Sequence, residues 1–524
     1  MNPTATIEAG APAAAETAAR PEMSPPDAYN EALVANVRPP DWVNPEPQPR
    51  YHLVVIGAGT AGLVCAAGAA GLGAKVALVE RHLLGGDCLN FGCVPSKAII
   101  RSSKVYADIR DASLFGLNIS GAAAVDFAAV MERMRRLRAE ISPHDSAPRF
   151  RDLGVDVFLG EAAFSGPNSV EVGGKTLRFR KAVIATGSRA VHPPVPGLPA
   201  AGYLTNETVF SLTERPARLL VMGGGPIGCE LAQAFQRLGC RVTLLHKHPR
   251  IMNREDADAA ALIQKTFQKE GIGLILDARA LEATKTGGGK LVKYESGGRQ
   301  GEIEVDEILI GAGRAPNVEG LSLEAAGVSY EPGKGRGVIV NDRLRTSNPR
   351  IFAAGDVCLP YQFTHLADFS ARIVIQNSLF WGRKKLSALT IPWCTYTDPE
   401  VAHVGLNEAE AATQGIAVTT FSKPLSEVDR AILDGETEGF VKIHVKKGAD
   451  KILGATIVAR HAGEMISEIT AAMVGNLGLG TLAAVIHPYP TQAEAIRQTG
   501  DLYNRTRLTP TVKWLFARFL AWRR

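Results

Sequence analysis

Between Gly85 and Lys97 the chain reads Gly-Gly-Asp-Cys-Leu-Asn-Phe-Gly-Cys-Val-Pro-Ser-Lys, which places Cys88 and Cys93 five positions apart behind a Gly-Gly turn. Two cysteines at that spacing can close a small disulfide ring whose reduced form is a dithiol. The chemistry they offer is reversible two-electron exchange. A structural or metal-binding pair is the alternative, but metal sites usually need a second Cys or His pair at similar spacing. The other five cysteines are scattered singly.

The elements that must position these thiols begin just upstream. Leu53-Val54-Val55-Ile56 reads as a strand, Gly57-x-Gly59-x-x-Gly62 as a Gly-rich turn opening a helix, and Val76–Val79 as a second strand ending at Glu80. In such a unit the first Gly makes the tight turn, the second lets backbone approach a pyrophosphate, and the third packs helix on strand. Glu80, eighteen residues past Gly62, can bond a ribose hydroxyl. A second unit follows, with Leu219–Met222, then Gly223-x-Gly225-x-x-Gly228, then Arg241–Leu245. Two units imply two dinucleotides. Here the position matching Glu80 is His246, followed by Lys247 and Arg250. A carboxylate there would repel a 2′-phosphate and a basic cluster would welcome one, so NADPH is expected over NADH. Gly228, where many phosphate-selective sites carry Ala, pulls modestly the other way.

Composition sets the outer bounds. At 524 residues the chain can hold three or four domains, and 46% hydrophobic with 21% charged residues is ordinary for a globular protein. A net charge of +5 without a recognition motif argues against nucleic acid. No run of about 18 apolar residues appears. Irregular cysteines and no signal-like segment point to a reducing cytoplasm.

Residues 1 to about 27 are rich in Ala, Pro, Thr and Glu and are expected to be disordered. From Ala28, the anchors Tyr29, Leu33, Val34, Val37 and Trp42 fit either an arm lying on the body or a plain linker. A helix is expected over 126–140, with Arg133, Arg135, Arg136 and Arg138 on a solvated face. Buried strands end at Ala185-Thr186-Gly187, at Gly311-Ala312-Gly313 and at Gly355-Asp356, the last aspartate facing the ligand side. From about Ile391 the texture becomes a separate α+β unit.

Taken together, residues 51 to about 505 resemble the flavin-dependent pyridine nucleotide-disulfide oxidoreductases, the family of dihydrolipoamide dehydrogenase, glutathione reductase and mercuric reductase. The resemblance implies an α/β fold with two dinucleotide-binding Rossmann-like domains and a C-terminal α+β dimerisation domain. It implies FAD on Gly57, Gly59, Gly62, Glu80 and Asp356, and NAD(P)H on Gly223, Gly225 and Gly228. The expected layout is an N-terminal segment and arm (1–50), an FAD-binding part (51–200), an NAD(P)-binding domain (201–316), a second FAD-binding part (317–390), a dimerisation domain (391–505) and a tail (506–524). Gly187 and Gly313 are further cofactor-binding candidates. In relatives the cysteine matching Cys93 touches the flavin and the one matching Cys88 exchanges with substrate. By the same resemblance Lys97 pairs with Glu230.

Cys93 then needs to be a thiolate, whereas a free thiol of pKa ~8.5 is mostly protonated at neutral pH. A helix N-terminus and a cation lower that value, and Lys97 lies one turn on. A plain surface lysine is the alternative.

The acceptor is where the chain departs from its relatives. Mercuric reductases carry a vicinal cysteine pair near the C-terminus, and this chain has no cysteine after Cys394. Disulfide reductases carry a His directly before Pro-Thr. Here the stretch is His487-Pro488-Tyr489-Pro490-Thr491-Gln492-Ala493-Glu494, so Tyr489 takes the His place, as in mercuric reductases. Tyr489 of the partner subunit is expected to face Cys88, with His487 and Glu494 as a supporting pair. The expected function is NAD(P)H-driven reduction, through FAD and the cysteine pair, of a metal ion or small electrophile. A low-molecular-weight disulfide reductase is the alternative, and a membrane-attached redox-sensing flavoprotein is the reading from another class. The tail alternates Trp514, Leu515, Phe516, Phe519, Leu520 and Trp522 with Lys513, Arg518, Arg523 and Arg524. That pattern suits either a membrane surface or packing on the body.

Overall fold

In the computed structural model, residues 23–119, 124–333 and 336–524 are described; most of the Ala- and Pro-rich segment expected to be disordered lies outside them. The first sheet is built around β1 (Tyr51–Ile56), which pairs in parallel with β2 (Val76–Glu80), itself parallel to β3 (Val155–Leu159). β4 (Ala162–Gly166), β5 (Ser169–Val172) and β6 (Lys175–Ile184) form an antiparallel meander. The far half of β6 runs parallel to β1. Every residue of β2 is buried, as a strand covered on both faces requires. The strand Ile351–Ala353 returns to pair with β6, so a segment far along the chain completes this first unit.

The second unit is a parallel sheet in the order Gly273–Ile275, Arg241–Leu245, Arg218–Met222, Glu307–Ile310, with an antiparallel meander at its side. A two-stranded link, Ser188–Ala190 with Arg314–Pro316, joins the units. The C-terminal unit is a five-stranded antiparallel sheet with helices Ala462–Val474 and Glu494–Thr506 packed on it. The two dinucleotide units and the α+β unit expected from the sequence are thus all present. Arg237 of the second unit clamps Glu270 and reaches Asp398 of the third at 2.8 Å, with its side chain 4% exposed. Removing one partner of such a buried ion pair typically costs about 3–5 kcal/mol.

One expectation fails here. The helix α1 (Ala28–Val37), capped by Asp27, lies against α5 (Phe127–Ile141) and buries Leu33 and Val37 completely. Between them come α2 (Thr60–Gly71), α3 (Gly86–Asn90) and α4 (Cys93–Arg110). Because α1 covers α5, Arg135 and Arg138 do not form a solvated face. Arg138 is 1% exposed and donates to the Asn90 carbonyl at 2.7 Å and to Asn30 Oδ1 at 2.6 Å. Arg135 pairs with Asp27. Burial with Arg135 close by lowers the Arg138 pKa to about 10, which still leaves it charged at neutral pH. The arm therefore braces the end of α3, the helix that carries Cys88.

Candidate active site

A single cavity of about 3160 Å³ runs between the units, and both Gly-rich turns and both cysteines line it. In the first turn a Cβ on Gly57 would lie 2.4 Å from the Ala185 carbonyl oxygen, and one on Gly62 would lie 1.8 Å from that of Gly57. The second turn repeats this, with Gly223 against Gly311 at 2.3 Å and Gly228 against Gly223 at 1.9 Å. No side chain fits at these four positions. By contrast Gly225 meets nothing within 4 Å and Gly59 only the Gly86 Cα at 3.7 Å. Each middle glycine thus leaves backbone open to the cavity beside a helix N-terminus, the arrangement that accepts a pyrophosphate.

Glu80 is buried at the end of β2, where its oxygens accept from the backbone N–H groups of Ala58 (2.6 Å) and His82 (2.7 Å). Burial raises its pKa and these hydrogen bonds oppose the rise. Gly187 and Gly313, both with positive φ (69° and 110°), flank the two-stranded link and line the cavity. Asp356 accepts from Ser188 Oγ at 2.7 Å; Ser188 accepts from Arg314 Nε at 2.8 Å, and Arg314 also pairs with Asp87. This chain ties α3 to the end of the first sheet. Arg314 and Ser188 were not legible as site residues, their only signal being that each follows a candidate glycine.

The redox stretch is shaped by its own glycines. Gly86, at φ 54°, packs so closely on Gly59 that a Cβ would fall 2.6 Å from the Gly59 Cα. The first nucleotide turn therefore seats α3 directly. Cys93 opens α4, so its thiol sits at a helix N-terminus, where the partial positive charge favours a thiolate. The two cysteines are free thiols. The hydrogen bond from Cys88 is the largest influence on Cys93; with Thr364 Oγ1 at 3.3 Å and the charge of Lys97 it outweighs burial and lowers the Cys93 pKa. The same contact, with burial, pushes Cys88 up. Lys97 Nζ donates to Glu230 Oε2 at 2.7 Å and lies 4.6 Å from the Tyr396 ring centre, while Glu230 Oε1 accepts from the Tyr396 N–H at 2.9 Å. Burial works against the Lys97 ammonium, but Glu230 more than compensates and its pKa rises. Thr364 had no signal in the sequence.

Two expectations need correction. His246 does not act as a cation: burial, with Lys247 and His248 nearby, lowers its pKa to about 4, and its Nδ1 accepts from the Gly224 N–H at 3.0 Å. Arg250 is turned onto the carbonyls of Asn253 and Glu255. Lys247 is exposed and lines the cavity. Second, His487 and Glu494 are not a pair. His487 Nε2 lies 3.1 Å from Glu468 on the helix Ala462–Val474, and Glu494 bonds Arg497 at 2.7 Å one turn along its own helix. Tyr489 is 69% exposed and donates to Asp429 at 2.9 Å. Neither it, His487 nor Glu494 lines the cavity of its own chain.

Two nucleotide cradles around one dithiol define a flavoprotein oxidoreductase, and the chain belongs to the pyridine nucleotide-disulphide oxidoreductases. The family model matches residues 51–376 and that of the family's dimerisation domain residues 391–499, which supports a homodimer. The chain is 36% identical to the mercuric reductase of Staphylococcus aureus over 85% of its own length and 81% of the relative's. It is 35% identical to the dihydrolipoyl dehydrogenase of Thermus scotoductus over 87% and 98%. Among solved structures it resembles the HOCl-induced flavoprotein disulfide reductase RclA of Escherichia coli, in complex with Cu(II), with a TM-score of 0.77, 28% identity and coverage of 87% of this chain and 100% of that one. It is therefore an enzyme, and its family works with FAD and NAD(P)H. The four close-packed glycines and the two open ones fit both groups. Among the described residues no helix is long and apolar enough to cross a membrane.

Proposed function

We propose that the enzyme reduces a soft metal ion or small electrophile with electrons from NADPH, passed through the Cys88–Cys93 pair. When bound, FAD would supply two-electron transfer between the nicotinamide and the sulfurs. Gly57, Gly59, Gly62, Glu80 and Asp356 would hold it, and Gly223, Gly225 and Gly228 the nicotinamide dinucleotide. Two electrons and one proton open the disulfide to a Cys88 thiol and a Cys93 thiolate, and returning the two electrons to the acceptor re-forms the S–S bond and releases that proton. Lys97, itself fixed by Glu230, keeps Cys93 ionised so that the ring can close again without waiting for deprotonation. Tyr489 would come from the partner subunit to face Cys88.

The observation that carries the choice of acceptor is the place of His487. Its side chain is 5% exposed, with Nε2 on Glu468 and Nδ1 3.1 Å from the Val485 carbonyl, so it is not free to serve as the acid-base group that dithiol exchange needs. The phenol in the usual imidazole place, which its hydrogen bond to Asp429 holds above the ordinary phenol range, does not exchange protons near neutrality. The relatives named mercuric reductase favour the same class of acceptor, whereas those named dihydrolipoyl dehydrogenase and the disulfide reductase RclA favour the low-molecular-weight disulfide. Steady-state NADPH oxidation with Hg(II), Cu(II), lipoamide and glutathione disulfide tests the reading. Turnover with a metal ion should exceed that with either disulfide by roughly 10²-fold in kcat/KM, the usual worth of a missing acid-base group. Disulfides turning over as fast as the metals would reverse the assignment.

Coenzyme choice rests on Lys247, because His246 is neutral and Arg250 is engaged. Lys247→Ala should lower kcat/KM for NADPH by about tenfold, one charge-assisted contact, and leave NADH unchanged. An equal loss with both coenzymes would remove the 2′-phosphate contact from the reading.

A further inference from the structure

The chain runs from Leu502 to Arg524 without an acidic residue, while Arg505, Arg507, Lys513, Arg518, Arg523 and Arg524 carry six positive charges. Within it the helix Pro510–Trp522, capped by Thr509, buries no residue. Packing on its own body, the alternative left open by the sequence, is therefore not what the tail does. Val512, Leu515, Phe516, Phe519, Leu520 and Trp522 follow the i, i+3, i+4, i+7, i+8, i+10 spacing of a single stripe. Of these, Phe519, Leu520 and Trp522 are 50%, 64% and 81% exposed. At 100° per residue Lys513 flanks one edge of the stripe and Arg518 the other. Arg518 lies 4.7 Å above the Trp514 ring and Arg523 5.6 Å above that of Phe519, so the cations are held beside aromatic surface. The family models end at residue 499, so this helix is appended to the shared architecture.

We infer that the C-terminal helix docks the enzyme on an anionic lipid surface, lying in the plane of the interface with its apolar stripe among the acyl chains and its cations at the headgroups. Length and charge rule out a span. Aromatic side chains with flanking Arg and Lys are the composition of helices that lie at such an interface. A second copy of the chain is the competing occupant. Charge argues against tail meeting tail across a two-fold axis, because each brings six cations and no compensating acid. An anionic membrane supplies the missing counter-charge, each cation near the surface strengthening partitioning by roughly fivefold at low salt.

The test is co-sedimentation of the FAD-loaded, full-length enzyme with vesicles of phosphatidylcholine alone or mixed with phosphatidylglycerol. The full chain should bind the anionic vesicles at least tenfold more tightly than the neutral ones, and raising salt should weaken that binding. A chain ending at Leu508 should not bind, yet should keep its turnover and its oligomeric state. Two full-length variants separate the contributions: Lys513→Glu with Arg518→Glu should remove the lipid preference, and Leu515→Ser with Phe519→Ser should remove binding altogether. The inference is overturned if the full chain ignores anionic vesicles at low salt, or if the shortened chain binds equally. It is also overturned if shortening dissociates the dimer, which would assign the helix to the subunit interface.

Discussion

Cys93→Ser is expected to lower acceptor reduction by roughly 10³-fold or more, the scale on which a reacting nucleophile is lost, while the protein still binds both nucleotides. Cys88→Ser should do the same, since neither sulfur alone can form the disulfide. The two variants differ in what they leave behind. Cys88→Ser retains a hydroxyl that can still donate to Cys93, so the remaining thiol should stay more acidic than a free one, as the hydrogen bond from Cys88, Thr364 and Lys97 make it in the native pair. Below its midpoint the sulfur is protonated and unreactive; above it the thiolate dominates. The rate of iodoacetamide alkylation in Cys88→Ser should therefore reach half its plateau well below the pH ~8.5 of a free thiol. Adding Lys97→Met should move the midpoint up by roughly one pH unit or more, because it removes a cation and leaves the negative charge of Glu230 uncompensated. An alkylation midpoint above pH 8 in Cys88→Ser would show that the helix terminus and Lys97 do not activate this sulfur.

The second large effect is a gain. Tyr489→His should raise kcat/KM for lipoamide or glutathione disulfide by roughly 10²-fold or more, since it restores an imidazole with a pKa near 6.5 where a phenol stands. His487→Ala should leave disulfide turnover at its low starting level, because that histidine is committed to Glu468. It should cost stability instead, since the half-buried Glu468 carboxylate loses its partner. Tyr489→Phe should change metal-ion turnover little if the phenol only faces the acceptor. A collapse of disulfide turnover in His487→Ala alone would return the proton-shuttling role to His487.

What the sequence determined by itself is whatever depends on short-range backbone geometry. Gly62 and Gly228 are dictated by contacts inside a single strand-turn-helix, where a Cβ would strike a carbonyl five residues back, and Gly57 and Gly223 by the positive φ of their own turns (100° and 126°), although the carbonyls they crowd, those of Ala185 and Gly311, come from distant strands. Their spacing therefore announces the cradle without knowledge of anything else. The same holds for the cysteine pair, because the turn at Gly85-Gly86 and the start of α4 are local events.

Only the tertiary structure decided the charges. Four arginines on one helix look solvated until α1, from about a hundred residues upstream, is laid over Arg135 and Arg138. His246 looks basic until burial makes charging it unfavourable. Glu494 looks like the partner of His487 because it is near in sequence, but the helix Ala462–Val474 brings Glu468 nearer in space. Thr364, Ser188 and Arg314 reach the site only because the strand Ile351–Ala353 returns to β6 and the two-stranded link closes beside it. Ionisation and long-range pairing follow from which surfaces fold against each other, and that is a property of the whole chain rather than of any segment of it.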